Sequence, residues 1–255
     1  LARGFDVTGI DPAYEGDNPK VVKDRFSREA GRQAEGLVLR HVLEHIPQPA
    51  DFLAELREAN GGRGTIFIEV PCLDWICRHR VWFDVFYEHV NYFRLDDFRR
   101  MFGRVLESGH VFGGQYLYVV ADLASLRDPA AGGGVHFEFP ADFTASVARY
   151  ADQMRARQSA PGTAGSSVIW GGASKGVIFS LFMQRAGAKV DCVVDINPAK
   201  QGRYLAATGL RVSSPEDMLR QAAAGSDIYV MNGNYLPEIR QMTQDRFNYL
   251  TVDHE

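Results

Sequence analysis

Apolar residues in this chain come in short runs, each closed by a polar or turn residue. FDVTGIDPA (5–13) reads as a strand that stops at Asp11-Pro12. EGLVLRHVLEHI (35–46) contains a second strand and GTIFIEVP (64–71) a third. Between these two, DFLAELREA (51–59) sets Phe52, Leu53 and Leu56 at helical spacing, with Asp51 as its N-cap. Strand alternating with helix predicts a parallel sheet covered on both faces. LDDFRRMFGRV (95–105) is a further amphipathic helix. VLESGHVFGGQYLYVVADL (105–123) reads as two strands around Gly113-Gly114, an antiparallel finish to the sheet.

RDPAAGGG (127–134) breaks the pattern and reads as a linker. FTASVARYADQMRAR (143–157) then places Phe143, Val147, Tyr150 and Met154 on one helical face, and QSAPGTAGSS (158–167) is a second linker. From Ser167 the alternation restarts with SVIWGGASKG, VIFSLFMQRAG, VDCVVDINP, SPEDMLRQAAAG, DIYVMNGNY and FNYLTVD. The pattern predicts an α/β domain over 1–125, a linker with a helix over 126–165, and a smaller doubly wound α/β domain over 166–255.

Composition narrows the function classes. Of 255 residues, 45% are apolar and 24% charged, the balance of a globular protein. With 28 basic against 32 acidic residues the net charge is −4, which leaves no basic stripe for a nucleic acid. No apolar run approaches the roughly 18 residues of a membrane span, so neither nucleic acid nor membrane is an expected partner. Cys72, Cys77 and Cys192 show no CxxC spacing, which argues against disulfides and structural zinc. A reduced, cytoplasmic setting is the expectation. The opening LARGFDV has no Met and no signal peptide, and reads like the middle of a longer sequence.

Three places carry candidate chemistry. Asp11 ends a parallel strand, where two acceptor oxygens suit a ribose diol or simply cap the next turn. WGGASKG (170–176) joins a strand to a helix, and its glycines and amide N–H groups suit an anion, with Ser174 and Lys175 adding a hydroxyl and a cation. Tight strand-helix packing alone would also demand such glycines. Asp195 follows about 20 residues on, echoing a dinucleotide fingerprint. In FDVFYEHVNYF (83–93), Glu88 and His89 stand among Trp82, Phe83, Phe86, Tyr87, Tyr92 and Phe93. These aromatics predict a water-poor pocket that would shift pKa values, though a buried core histidine fits the same pattern.

Taken together, these residues resemble the bacterial sugar C-methyltransferases that use S-adenosylmethionine. The resemblance rests on LRHVLEHIPQPADFLAEL, on IEVP…FDVFYEHVNYF, and on GGASKG…VVDINPAKQGRYLAATGLRVSSPEDM…DIYVMNGNYLPEI, in that order. It implies a class I methyltransferase (Rossmann-like) sheet and methylation of a carbon beside the ketone of a nucleotide-linked deoxysugar, with no metal in the chemistry. Carried over, His89 would be the base and Glu88 would orient His89 or hold the sugar. Asp11 would hold the cofactor ribose, with Arg40 and His41 along its methionine part. Ser174 and Lys175 would face the nucleotide diphosphate.

The resemblance has two departures. Family members often carry Tyr where Phe86 stands here, so a ketone-polarising hydroxyl would either be missing or come from Tyr87 or Tyr92. The family's zinc-binding segment and its first Rossmann strand with the glycine-rich loop would lie before residue 1. The sheet is therefore expected to lack that central strand, leaving an open position between FDVTGID and GLVLRHV. Two rival readings remain: an NAD(P)-dependent oxidoreductase built on WGGASKG and Asp195, and a non-catalytic nucleotide-sugar-binding module.

Overall fold

The computed structural model describes residues 4–27, 29, 32–128, 137–159 and 165–253. The two linker tracts fall largely at 129–136 and 160–164, outside the described residues. In chain order the elements begin with β1 (Gly9–Ile10), β2 (Val21–Val22), β3 (Gly36–Arg40), α1 (Pro49–Ala59) and β4 (Thr65–Pro71). They continue with α2 (Leu73–Arg78), α3 (Leu95–Met101), β5 (Val105–Val111), β6 (Tyr116–Asp122), α4 (Ser146–Ser159), β7 (Ser167–Trp170) and α5 (Ser174–Arg185). The last are β8 (Cys192–Val194), β9 (Val212–Ser213), α6 (Pro215–Gln221), β10 (Asp227–Val230), α7 (Leu236–Met242) and β11 (Asn248–Thr251). Contacts divide the chain into two units. The first is Leu1–Pro71, Phe93–His110 and Tyr116–Val135; the second is Cys72–Tyr92, Val111–Gln115 and His136–Glu255.

The first unit holds a four-stranded sheet in the order β3-β4-β6-β5. β4 pairs parallel with β3 and antiparallel with β6, as the run of strands around Gly113-Gly114 predicts. Flanked on both sides, β4 buries Ile66, Ile68 and Val70 completely, so its sequence is nearly all apolar. β6 alternates instead: Leu117, Val119 and Ala121 are buried and the residues between them are half-exposed. Leu53 and Leu56 of α1 and Phe98 and Met101 of α3 add to this core. Each fully buried side chain of this kind is worth about 1.5–3 kcal/mol.

β1 and β3 do not pair with each other. β1 pairs parallel with β2 in a separate two-stranded sheet, and β3 has β4 as its neighbour and is an edge of the larger one. In the class I order these two pieces stand on either side of one central position, which no described strand fills. The first strand is also shorter than FDVTGIDPA suggests, and its partner β2 is a two-residue strand with no periodic signal in the sequence. α1 starts earlier than the sequence reading has it. Gln48 is the N-cap, Pro49 occupies the first turn and Asp51 lies within that turn. Proline's fixed φ suits a first helical position, and Asp51 there still favours the positive end of the helix dipole.

The second unit is a doubly wound sheet, all parallel, in the order β11-β10-β7-β8-β9. Its chain starts centrally at β7, winds outward through β8 and β9, then returns to β10 on the other side. Val168, Trp170, Val194, Ile228 and Val230 form the core with Met218 of α6, Ile239 of α7 and Phe247. Residues 72–92 precede α3 in sequence yet pack here. Trp82 stacks on Phe179 (5.5 Å, 12°) and tilts against Phe182 (4.9 Å), both from α5. Its indole N–H donates to Ser146 Oγ at 2.9 Å. Residues 111–115 are held by a buried polar group, in which the Gln115 amide donates to Asp253 (2.9 Å) and Asn232 (3.3 Å). Among the described residues, no helix is long and apolar enough to cross a membrane.

The glycine turn before α5 has a packing demand of its own. A Cβ on Gly176 would lie 1.9 Å from the carbonyl oxygen of Gly171, and Gly171 has φ of +118°. Gly176→Ala should therefore cost about 1–3 kcal/mol, the usual range for overpacking, and lower the melting temperature measured by circular dichroism. An unchanged melting temperature would show that the turn can open around a methyl group.

Candidate active site

The Glu-His stretch is a folded-back loop in the second unit. The Phe86 N–H donates to Tyr92 Oη (3.1 Å), and that hydroxyl donates to the Asp84 carbonyl (3.4 Å). The His89 N–H closes a tighter turn onto the Phe86 carbonyl at 3.1 Å. The His89 ring lies over Phe86 with centroids 4.0 Å apart and meets Tyr92 edge-on at 5.9 Å. Burial pushes the Tyr92 phenol up to about 12, so at neutral pH it is a hydrogen-bonding hydroxyl and not an anion.

The aromatic pocket expected around the pair forms only in part. Trp82 and Phe83 are core residues, while Phe86 and Tyr92 flank a half-buried His89. Tyr87 is 83% exposed and Glu88 is exposed beside it. Neighbouring side chains in such a turn diverge, so one set cannot enclose both members of the pair. Glu88 accepts from Tyr87 Oη at one oxygen (3.2 Å) and from Ser174 Oγ at the other (3.3 Å). The glutamate beside Tyr87 raises that phenol as well.

Ser174 and Lys175, the first residues of α5, are thereby brought to the loop. The Lys175 ammonium lies 3.0 Å from Asp84 Oδ2, with side chains only 18% and 8% exposed. It also stands 5.9 Å over the Trp75 ring. The adjoining glycine turn already binds an anionic group of its own. The Gly172 N–H donates to Asp195 Oδ2 (3.0 Å), which also meets Lys200 Nζ (3.0 Å), and Asn197 N–H donates to Asp195 Oδ1 (2.8 Å). A buried Asp195 with both oxygens engaged is poorly placed to take a ribose diol, which disfavours the oxidoreductase reading.

In the first unit, Arg40 ends β3 and His41 follows with φ of 52°. Register pairs Arg40 with Glu69 across β3 and β4, and the guanidinium donates twice to Glu69 Oε1 (3.1 and 2.8 Å). His41 Nε2 is 3.3 Å from that same oxygen and Nδ1 is 3.3 Å from Glu44 Oε1. Tyr116 meets the imidazole edge-on at 4.5 Å. Asp11 stands on the other, two-stranded sheet, exposed at the end of β1, where Oδ1 accepts from the Ala13 N–H at 2.8 Å. The structure thus groups Arg40 with His41 and gives Asp11 an ordinary turn bond.

Glu44, Glu69 and Asp84, three acids outside the candidate chemistry of the sequence, also belong to these clusters. The signal was present: Glu69 interrupts the apolar run TIFIEVP, and Asp84 is an acid within an aromatic one. A charge inside a buried run needs a partner.

The hydrogen bond to Glu44 raises the His41 pKa above 6.5, helped by the charges of Glu44 and Glu69 and opposed by burial and Arg40. A raised folded-state value stabilises the fold fully below 6.5, and that contribution is lost as pH rises through the raised value. His41→Asn should lower the melting temperature more at about pH 5.5 than at about pH 8.5. Equal losses at the two pH values would show that His41 contributes through packing alone.

Residues 1–105 match the family model of a methyltransferase domain, and residues 124–248 match that of a C-methyltransferase C-terminal domain. No curated protein sequence matches the chain. The Glu-His loop falls in the first match and GGASKG in the second, although residues 72–92 pack with the second unit. With this order of domains and the class I arrangement of strands, the chain belongs to the S-adenosylmethionine-dependent C-methyltransferases.

Proposed function

We propose that the protein methylates a carbon next to the ketone of a nucleotide-linked deoxysugar, with His89 as the base. The observation that carries this reading is a half-buried imidazole laid on Phe86, beside exposed hydrogen-bonding groups from Tyr87, Glu88 and Ser174. A proton on a carbon beside a carbonyl needs a base whose pKa lies near neutrality, and imidazole meets that need. His89 takes this proton and holds it as imidazolium while the electron pair moves toward the ketone oxygen. The carbon so activated would take up the methyl group that S-adenosylmethionine, when bound, would supply, with S-adenosylhomocysteine as the leaving product. Glu88, Tyr87 and Ser174 hold sugar hydroxyls, so the reacting carbon is presented to His89 in one orientation. Tyr92 keeps the loop closed through its two backbone bonds and is not free to serve as the ketone donor.

S-Adenosylmethionine, when bound, supplies an electrophilic methyl group on a sulfonium. The residues of the first unit suit it. Asp11 is exposed with Oδ2 available to a ribose diol, and Arg40 is a cation for the methionine carboxylate, with an exposed side chain. His41 and the buried Glu44 and Glu69 keep the neighbourhood polar, and the carboxylates are acceptors of the kind the ligand's ammonium needs.

The test separates deprotonation from methyl transfer. With S-adenosylhomocysteine bound, wild type should exchange the hydrogen beside the ketone for deuterium, followed by NMR. His89→Ala should lose that exchange and lower turnover by roughly 10²–10⁴-fold, with cofactor affinity unchanged. Near-normal exchange in the variant would remove His89 from the role of base.

A further inference from the structure

We infer that Lys175 and Asp84 are positioning residues that set the place of His89, and that Lys175 is not a ligand of the substrate diphosphate. The inference rests on the reading of His89 as base. Asp84 is fixed twice: its carboxylate by Lys175 at 3.0 Å, and its carbonyl by the Tyr92 hydroxyl at 3.4 Å. The same hydroxyl accepts from the Phe86 N–H, and Phe86 in turn holds His89 through its carbonyl and its ring. A continuous series of contacts therefore runs from the first turn of α5 to the imidazole. One residue earlier, Ser174 donates to Glu88, so two successive residues of α5 hold two points on the loop. Trp82 and Phe83, just before Asp84, pack on Phe179 of the same helix, at 5.5 and 5.7 Å.

Charge accounting supports the same role. The Lys175 ammonium is mostly buried and already neutralised by a buried carboxylate, so little net positive charge faces solvent there. A phosphate taking Lys175 would strand Asp84 as a buried charge, which is strongly unfavourable. The pair is not retained for energy, since such pairs are near neutral against apolar substitutes. Its effect is on register. An apolar contact would let the loop slide along α5, whereas an ion pair fixes one point.

The experiment measures turnover and KM for a nucleotide-linked ketosugar, at low and high salt, in Lys175→Met, Asp84→Asn and the double variant. The double variant leaves no orphaned charge, so it keeps the measurement possible if a single variant unfolds. Positioning predicts that the double variant melts cooperatively, retains KM within about threefold at either salt concentration, and loses about 10–100-fold in kcat, as expected for a base displaced by about 1 Å. It also predicts that the two single losses do not add, because both remove one contact, and that hydrogen exchange at the sugar falls in parallel with kcat. A rise in KM that salt suppresses, specific to Lys175→Met and with kcat preserved, would instead make Lys175 a phosphate ligand and overturn the inference. Wild-type kcat in the folded double variant would overturn it as well. The reading of His89 as base is judged separately, by the exchange experiment on His89→Ala.

Discussion

Burial of Trp82 and Phe83 against α5 is the constraint from which the candidate site follows. Two aromatic side chains, 3% and 0% exposed, supply a few kcal/mol of apolar burial and fix the loop's approach to the C-terminal sheet. Apolar contact is permissive about direction, however. Directional bonds then complete the placement: the indole N–H to Ser146, the ion pair of Lys175 with Asp84, and the Tyr92 hydroxyl between two backbone groups. What the loop presents, His89 half-covered and Glu88 exposed, is the remainder once these demands are met.

The first unit meets a different difficulty, that of keeping carboxylates in a buried setting. Glu44 is 1% and Glu69 6% exposed, and isolated charges at such depth would be costly. Arg40 and His41 offset them, and the geometry follows from strand register, because Arg40 stands opposite Glu69. The positive φ of His41 turns the chain at the end of β3. A polar cluster at the carboxyl end of parallel strands is where α/β sheets take ligands, and the cluster is maintained here by mutual neutralisation.

Much of this was legible in the sequence, because periodicity reports burial. The nearly all-apolar β4, the alternating β6 and the restarted pattern from Ser167 are each readable from residue spacing alone. β2 was missed because two residues, Val21 and Val22, carry no period. α2 was missed because LDWICR is too short for a helical repeat and half of it is core. Asp11, Arg40 and His41 stand at strand ends, as the apolar runs before them indicate, but their partners do not follow from those runs. Which carboxylate meets which cation depends on register between strands far apart in sequence. The same holds for Lys175: GGASKG read alone is an anion cradle, and its glycine N–H and its lysine are both met by acids, Asp195 and Asp84, that lie 23 and 91 positions away in the chain (195 − 172 and 175 − 84).

The membership of residues 72–92 in the second unit has a consequence for how the protein is made and divided. The C-terminal sheet looks from its sequence like a module that begins near residue 166. A fragment cut there would leave Phe179 and Phe182 without Trp82 and would strand Lys175 without Asp84. It would also lose Gln115 from the buried amide group with Asn232 and Asp253. During synthesis, the aromatic loop emerges about 90 residues before the helix it packs on, and loop closure over that span is entropically unfavourable until α5 exists. The loop must then wait, aromatic side chains uncovered, for the last third of the chain. Chaperone dependence and aggregation during expression should accordingly be decided by this stretch, and a boundary drawn by sequence similarity would divide the molecule in the wrong place.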